Sequence, residues 1–362
     1  MRVVAFTKYD REAASTRQRF LQYAPSFASG GIELRHRPLL SDSYVRSLAT
    51  GEHWSRTALL RSYGDRLLEL LRTPDADLIW VHAELFPYLP SAFDRLAFRS
   101  GVPVVYDWDD ALFLKYNDNP SPLLRKLLSG KIERFLARVS AVTCGNEFLR
   151  DYAARYCGRS ELVPTVVDTD VYRPDPRPRE KPVVGWIGSP TTWENVRPLL
   201  PVLRAVCTEF GARFRVVGAG IKAERDRFSE MDLVPWTEAT EVAEVQGFDV
   251  GIMPLIDAPF ERGKSAYKLV QYMACAVPSV ASPIGANETV LGPGCGLFAI
   301  GDADWRNALS DLLANAELRR SVGQHARERA VADYSLQTHA PRLIALFRDL
   351  ANRRSSMPVQ RA

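Results

Sequence analysis

Much that would mark this 362-residue chain as membrane-spanning, secreted or metal-dependent is missing from it. No run of about 18 apolar residues occurs, the least a membrane-crossing helix needs. The five cysteines (Cys144, Cys157, Cys207, Cys275, Cys295) are odd in number, scattered, and form no C-x-x-C pair. That excludes a disulfide framework and predicts reduced thiols in a cytoplasmic setting. The opening MRVVAFTKYDRE carries an apolar run too short for a secretory leader. The histidines number five, and apart from His82 none stands near a cysteine or carboxylate at metal-ligand spacing, so no metal site is expected. No G-x-S-x-G nucleophile motif is present. The formal charge is only +4, which argues against a nucleic-acid partner. A mildly basic surface still suits an anionic substrate or a peripheral contact with a negatively charged membrane face.

What the chain does have is alternation. Short apolar runs read as strands: RVVAFT (2–7), IELRHR (32–37), LIWVH (78–82), PVVYDW (103–108), AVTCG (141–145) and ELVPT (161–165). Amphipathic helical patterns separate them, such as 62–72 and 123–139. A polar stretch with four prolines, VDTDVYRPDPRPREKP (167–182), interrupts the series. Alternation then resumes with VVGWIGS (183–189), RFRVVGAG (213–220), DLVPWT (232–237), DVGIMPL (249–255), SVAS (279–282) and GLFAI (296–300). Strands alternating with helices predict parallel sheets. The expected architecture is an α/β chain of two doubly wound Rossmann-like domains, 1–168 and 183–335, joined by a hinge at 169–182. A helix at 336–353 is expected to pack back toward the first domain, followed by a disordered tail at 354–362. The arginine- and leucine-rich stretch 41–75 reads as a solvated helical surface ahead of a membrane-facing patch.

The most informative stretch is GKSAYKLVQYMACAVPSV (263–280). Apolar positions 266, 269, 270, 273 and 274 form one buried helix face. Lys264, Lys268 and Gln271 fall on another, with Ser265 as the expected N-cap. A helix N-terminus disfavours cations unless an anion joins them, so two lysines there point to a phosphate ligand. The alternative is a pair of solvated lysines matched by Glu261. The turn GWIGSPTT (185–192), which leads into a helix expected around Asn195–Thr208, offers close backbone approach at Gly188 and hydroxyls at Ser189 and Thr191 for the same ligand, or is an ordinary strand–helix turn. GAGIKA (218–223) is a literal G-x-G-x-x-A. It follows the second strand of its domain rather than the first, and that weakens a dinucleotide reading. Glu288, in the turn ASPIGANET, either touches a ligand at the carboxyl edge of the sheet or caps the next helix. DWDD (107–110) ends a strand of the first domain, where Asp109 and Asp110 are either catalytic or helix-capping. His82 closes LIWVH at the neighbouring strand edge. Arg17, in the loop after the first strand, either reaches an anion or is simply exposed.

ELVPTVVDTDVYRP, PVVGWIGSPTTWENV, FRVVGAG, FDVGIMPL, FERGKSAYKLVQYMACAVPSVASPIGANETV and DYSLQTHAPRLIALFRDL together resemble the family 4 glycosyltransferases (glycosyl transferases group 1), whose fold is GT-B. The likeness spans nearly all of the second half and is weaker over 1–140. It implies a retaining, metal-independent transfer of a sugar from a nucleotide-sugar, a UDP-sugar ahead of a GDP-sugar. The acceptor would be a glycan, a lipid-linked saccharide or a small metabolite. It also implies that Lys264, Lys268, Gly188, Ser189, Thr191 and Ser265 hold the donor diphosphate. Gln271 would lie on the ribose, Gly218 on the nucleotide side, and Asp109 where many relatives carry a catalytic histidine. Arg17 and His82 fall on the acceptor side. Three departures stand out. The family's E-x7-E becomes Gly263 and Gln271 in a GKxxYKxxQYMA form, the arginine and lysine usual near 185–192 are missing, and the glycine pair of the first loop is Ala13-Ala14. Two other readings fit the same fold: a sugar-nucleotide epimerase, and a non-catalytic nucleotide-sugar-binding protein.

Overall fold

The computed structural model describes residues 1–51, 54–72, 75–175 and 180–356. Part of the proline-rich stretch (176–179) and the last six residues of the expected tail lie outside the described residues. Two six-stranded sheets are present. The first comprises β1 (Arg2–Tyr9), β2 (Glu33–Leu40), β3 (Leu78–His82), β4 (Val104–Trp108), β5 (Ala141–Cys144) and β6 (Ser160–Leu162), in the order β2-β1-β3-β4-β5-β6. The second comprises β7 (Val183–Ile187), β8 (Arg213–Val217), β9 (Met231–Val234), β10 (Val250–Met253), β11 (Ser279–Ala281) and β12 (Leu297–Phe298), in the order β12-β11-β10-β7-β8-β9. Every strand pair is parallel.

Parallel sheets are covered on both faces, so their strands read as continuous apolar runs. In β3, Ile79 and Val81 enter one core while Leu78 and Trp80 enter the opposite one, the two-residue period of a strand. β7 divides likewise, Val184 and Trp186 against Val183 and Ile187. Strand order reverses between β1 and β3 in one sheet and between β7 and β10 in the other. Such reversals open a crevice at the carboxyl ends of the strands, where doubly wound sheets bind ligands.

Two helical expectations need correcting. The pattern at 123–139 is not one helix but two, Pro122–Leu128 and Lys131–Leu136, because Gly130 turns left-handed at φ +69°. The helix expected from Asn195 begins regular α geometry only at Leu200. Pro198 and Pro201 lack N–H groups, and two short 3-10 turns take up the approach. The last helix runs Leu336–Ser356, past the expected start of the tail, and packs on the first sheet. Phe347 lies 5.1 Å from the Trp80 ring and 5.6 Å from that of Phe27.

Candidate active site

β4 delivers the acidic run. Asp107 is buried and ion-paired with Arg19 (Nε to Oδ1 2.5 Å, a second nitrogen to Oδ2 2.7 Å), and Thr143 donates to it at 2.5 Å. Arg19 also donates to Thr165 and to the carbonyl of Val163. Asp107 is therefore a brace that fixes the exit of β4 and aims the next two carboxylates into the crevice. The Asp109 carboxylate lies 3.4 Å from Nε2 of His82, and Asp110 lies 3.7 Å from Nζ of Lys264. Burial opposes ionisation of Asp109. The hydrogen bond and charge of His82, with Arg19 and Lys264 beyond, outweigh it and hold the carboxyl below its ordinary range. Burial raises Asp110; the charge of Lys264 opposes that and Asp109 adds to it. Two adjacent carboxylates are thus pushed to different protonation behaviour, as in many acid–base sites.

The opposite wall comes from the segment between β10 and the helix Tyr267–Ala274. Asn146 donates to the carbonyls of Gly263 (2.8 Å) and Lys264 (3.1 Å), which clamps this backbone against the first domain. A Cβ on Gly263 would meet the Ala111 Cβ at 2.5 Å, so the glutamate expected here from the resemblance has no room. Ser265 is not the N-cap. Its hydroxyl donates to the Asp109 carbonyl at 2.9 Å across the crevice, and the helix starts after Ala266, held left-handed at φ +53°. Lys264 therefore precedes the helix, while Lys268 sits in its first turn with Nζ 5.6 Å over the Trp186 ring. In this protein-walled recess burial, then the charge of Lys264, lowers the Lys268 ammonium to about 7, with Asp110 opposing.

The glycine-rich turns nest against each other. A Cβ on Gly188 would come within 2.4 Å of Trp186, and one on Gly218, itself at φ +81°, within 2.4 Å of the Gly188 carbonyl. Packing alone thus demands both glycines. Ser189 and Thr191 stay exposed, their hydroxyls 2.9 Å apart. The helix after GAG spans only Ile221–Glu224, and Glu238 is paired with Arg11 at 2.6 Å. Neither the long helix nor the free acid of a dinucleotide site is there. Glu288 is exposed on the helix Ala286–Leu291 and makes no capping bond. Among the described residues no three His, Cys, Asp or Glu side chains cluster to hold a metal.

The first half of the chain, residues 2–167, matches the glycosyl transferase 4-like domain, and residues 181–315 match glycosyl transferases group 1. The chain is a family 4-type glycosyltransferase of GT-B fold. Solved structures agree on the fold. Sucrose-phosphate synthase from Thermosynechococcus elongatus superposes with TM-score 0.70 at 13% identity, covering 98% of this chain and 100% of that one. Anabaena Alr3699/HepE, solved with UDP and glucose, gives 0.72 at 12% identity over 96% and 99%. The trehalose 6-phosphate synthase of Burkholderia multivorans gives 0.62 at 13% over 98% and 99%. No curated protein matches the sequence.

The glycosyltransferase also has a buried polar centre that its sequence does not betray. Glu241, at the start of an unremarkable helix, accepts from Arg17 (2.8 Å), Trp236 (2.7 Å), Gln271 (3.1 Å) and the hydroxyl of Tyr172. Arg17 stacks 4.3 Å over Trp236 and donates to the Arg11 and Glu12 carbonyls. The sequence loop after β1 is in fact a short helix, Ala14–Arg19, and its Arg17, Tyr172 from the segment between the two sheets, and the helix Glu241–Gln246 of the second domain meet on this one carboxylate. Arg17 is therefore not exposed, and the Gln271 amide is engaged with Glu241 and Tyr172. Only a signal linking positions 17 and 241 would have exposed this contact, and no local pattern carries one.

Proposed function

We propose that this glycosyltransferase moves a hexose or N-acetylhexosamine from a UDP-sugar, ahead of a GDP-sugar, to an acceptor hydroxyl with retention and without a metal. One observation carries the reading: Lys264 and Lys268 converge at the start of the helix Tyr267–Ala274, directly across the crevice from the Asp109–His82 pair. Two ammonium groups and free helix N–H groups match the charge that builds on a departing diphosphate. That supply of positive charge is what supports metal independence. A structural neighbour solved with UDP and with UDP-glucose favours the uridine donor.

In this reading the second domain (183–335) holds the donor through Lys264, Lys268, Gly188, Ser189, Thr191 and Ser265, with Gly218 beneath the turn. Gln271 and Glu288 would flank ribose or sugar. The first domain (1–168) presents the acceptor, an oligosaccharide, a lipid-linked saccharide or a small metabolite, to Asp109. Asp110 restrains Lys264 until phosphate replaces it. Closure about residues 169–182 excludes water, which would otherwise hydrolyse the donor. No described helix is long and apolar enough to cross a membrane. A cytoplasmic chain with peripheral membrane contact fits the exposed Leu60 (73%) and Leu123 (65%).

Calorimetric titration with UDP-glucose in EDTA tests the donor site. Lys268→Met should weaken binding by about tenfold or more, roughly 1.5–3 kcal/mol for a lost charge-assisted contact. Because the unliganded ammonium titrates near 7 and the donor keeps constant charge, wild-type affinity should fall as pH rises above about 7. An affinity indifferent to both the substitution and pH would remove the lysines from the site. NMR of the reaction should then show an α-linked product with UDP release unaffected by EDTA. Conversion of the donor to its epimer without UDP release would instead make the protein an epimerase.

A further inference from the structure

We propose that the carboxyl edge of the first sheet carries an acceptor subsite for an anionic saccharide, built from Lys8, Tyr9, Tyr44, Trp54, Tyr88 and Lys115. The proposal rests on the transferase reading and names the acceptor class. β1 ends at Tyr9 and β3 at His82, the two strands between which the sheet order reverses, so these residues border the crevice of the first domain. Glu84 lies two residues past His82, which itself meets Asp109. The subsite is thus continuous with the reaction centre.

Three features mark it as more than surface. First, the aromatic rings are organised. Tyr9 and Tyr44 lie 6.1 Å apart with planes 16° from parallel, and Trp54 meets Tyr44 edge-on at 5.2 Å. Tyr88 is 53% exposed despite its size. Flat rings take the C–H faces of a pyranose, while hydroxyl and ammonium tips take its oxygens. Second, the backbone is strained. Ala83 and Tyr88, neither a glycine, are both held at φ +59° on either side of Glu84. Such strain persists only where surroundings enforce it and gathers at ligand clamps. Here the Tyr88 amide donates to the Tyr116 hydroxyl at 3.0 Å.

Third, the charges do not balance. The Glu84 carboxylate is fully buried and already held by Lys115 at 2.9 Å and by the Tyr116 hydroxyl. Lys8 lies 3.8 Å from it, outside hydrogen-bond reach, with its side chain 18% exposed. Two ammonium groups share one carboxylate, which leaves a positive charge facing the crevice. Lys8 and Lys115 also stand over Tyr9 (4.9 Å) and Tyr88 (4.1 Å), so cation and ring are offered together. The matching ligand is a sugar bearing a phosphate or carboxylate.

The test titrates the full-length protein, saturated with UDP, with glucose 1-phosphate, glucose 6-phosphate, glucuronic acid and neutral glucose. At least one anionic sugar should bind about tenfold or more tighter than glucose. Lys8→Met should abolish that preference, and Tyr44→Ala should weaken charged and neutral sugars alike. Equal binding of charged and neutral sugars, a preference unchanged in Lys8→Met, or no binding by any of the four overturns the subsite. UDP titration of the same samples reads the donor site separately. Lys8-dependent sugar binding without UDP binding would sink the transferase reading and leave the subsite standing. Octyl glucosyl phosphate binding tighter than glucose 1-phosphate would assign a lipid-linked source, and equal binding a soluble one.

Discussion

Glu241→Gln is expected to open the molecule rather than unfold it. The Arg17–Glu241 pair is 6% exposed on each side and joins the two domains. Neutralising one partner leaves the other charge buried and uncompensated, which costs about 3–5 kcal/mol. The closed arrangement bears that cost, because parting the domains returns the Arg17 guanidinium to water. Each sheet keeps its own apolar layers on both faces, so neither domain needs the pair in order to fold. Small-angle scattering should therefore show a larger radius of gyration, with the thermal midpoint nearly unchanged. Adding Arg17→Met removes the stranded charge and should restore the compact form, since replacing a whole buried pair by neutral groups is often tolerated. An unchanged radius in Glu241→Gln would show that the pair does not hold the domains together.

That contact also marks where sequence reading stops. The central strands were legible because both faces of each sheet are covered there, leaving apolar runs such as LIWVH and VVGWI with no polar alternation to blur them. The apolar face of the helix Tyr267–Ala274 was legible for the same local reason: Leu269, Val270, Met273 and Ala274 are all buried. Beyond the helix breaks at Gly130 and before Leu200, what failed depended on the partner domain. Ser265 has the chemistry of an N-cap, but the Asp109 carbonyl competes for its hydroxyl from 156 positions away. Gly263 reads as a lost glutamate until Ala111 is seen filling the space a side chain would need. Gly188 offers close approach to a phosphate and Gly218 falls on the nucleotide side, yet a Cβ on the first would meet Trp186 and one on the second the Gly188 carbonyl, so packing requires both glycines whatever they bind. The break at Gly130 could have been anticipated, since glycine is the residue that enters left-handed geometry at no steric cost. The amphipathic period runs through it and masks it.

The largest catalytic effect should fall on Asp109. Asp109→Asn keeps the size of the side chain and its reach to His82, and removes only the negative charge. If that charge orients the acceptor hydroxyl or steadies the cationic character of the sugar as the diphosphate leaves, kcat should drop by about 10²–10³, the scale of a lost preorganised electrostatic contact. Affinity for UDP-glucose should stay within about twofold, because the nearest donor-side contact of Asp109 is its backbone carbonyl, held by Ser265 and untouched by the substitution. The environment that lowers the Asp109 pKa also fixes the acid limb. Burial works against ionisation but is outweighed by His82, Arg19 and Lys264. The carboxylate therefore stays charged down to pH values below the ordinary aspartate range, and wild-type kcat should show no loss from this group between pH 5 and 7. His82→Gln removes the foremost of those supports, so the acid limb should move upward in pH with a smaller loss at pH 7. This shift separates an electrostatic role for His82 from simple packing against Phe20, 5.2 Å away. If Asp109→Asn kept more than about a tenth of wild-type kcat, the essential charge would lie elsewhere. Asp110, next in the chain and already facing Lys264, would be the residue to replace.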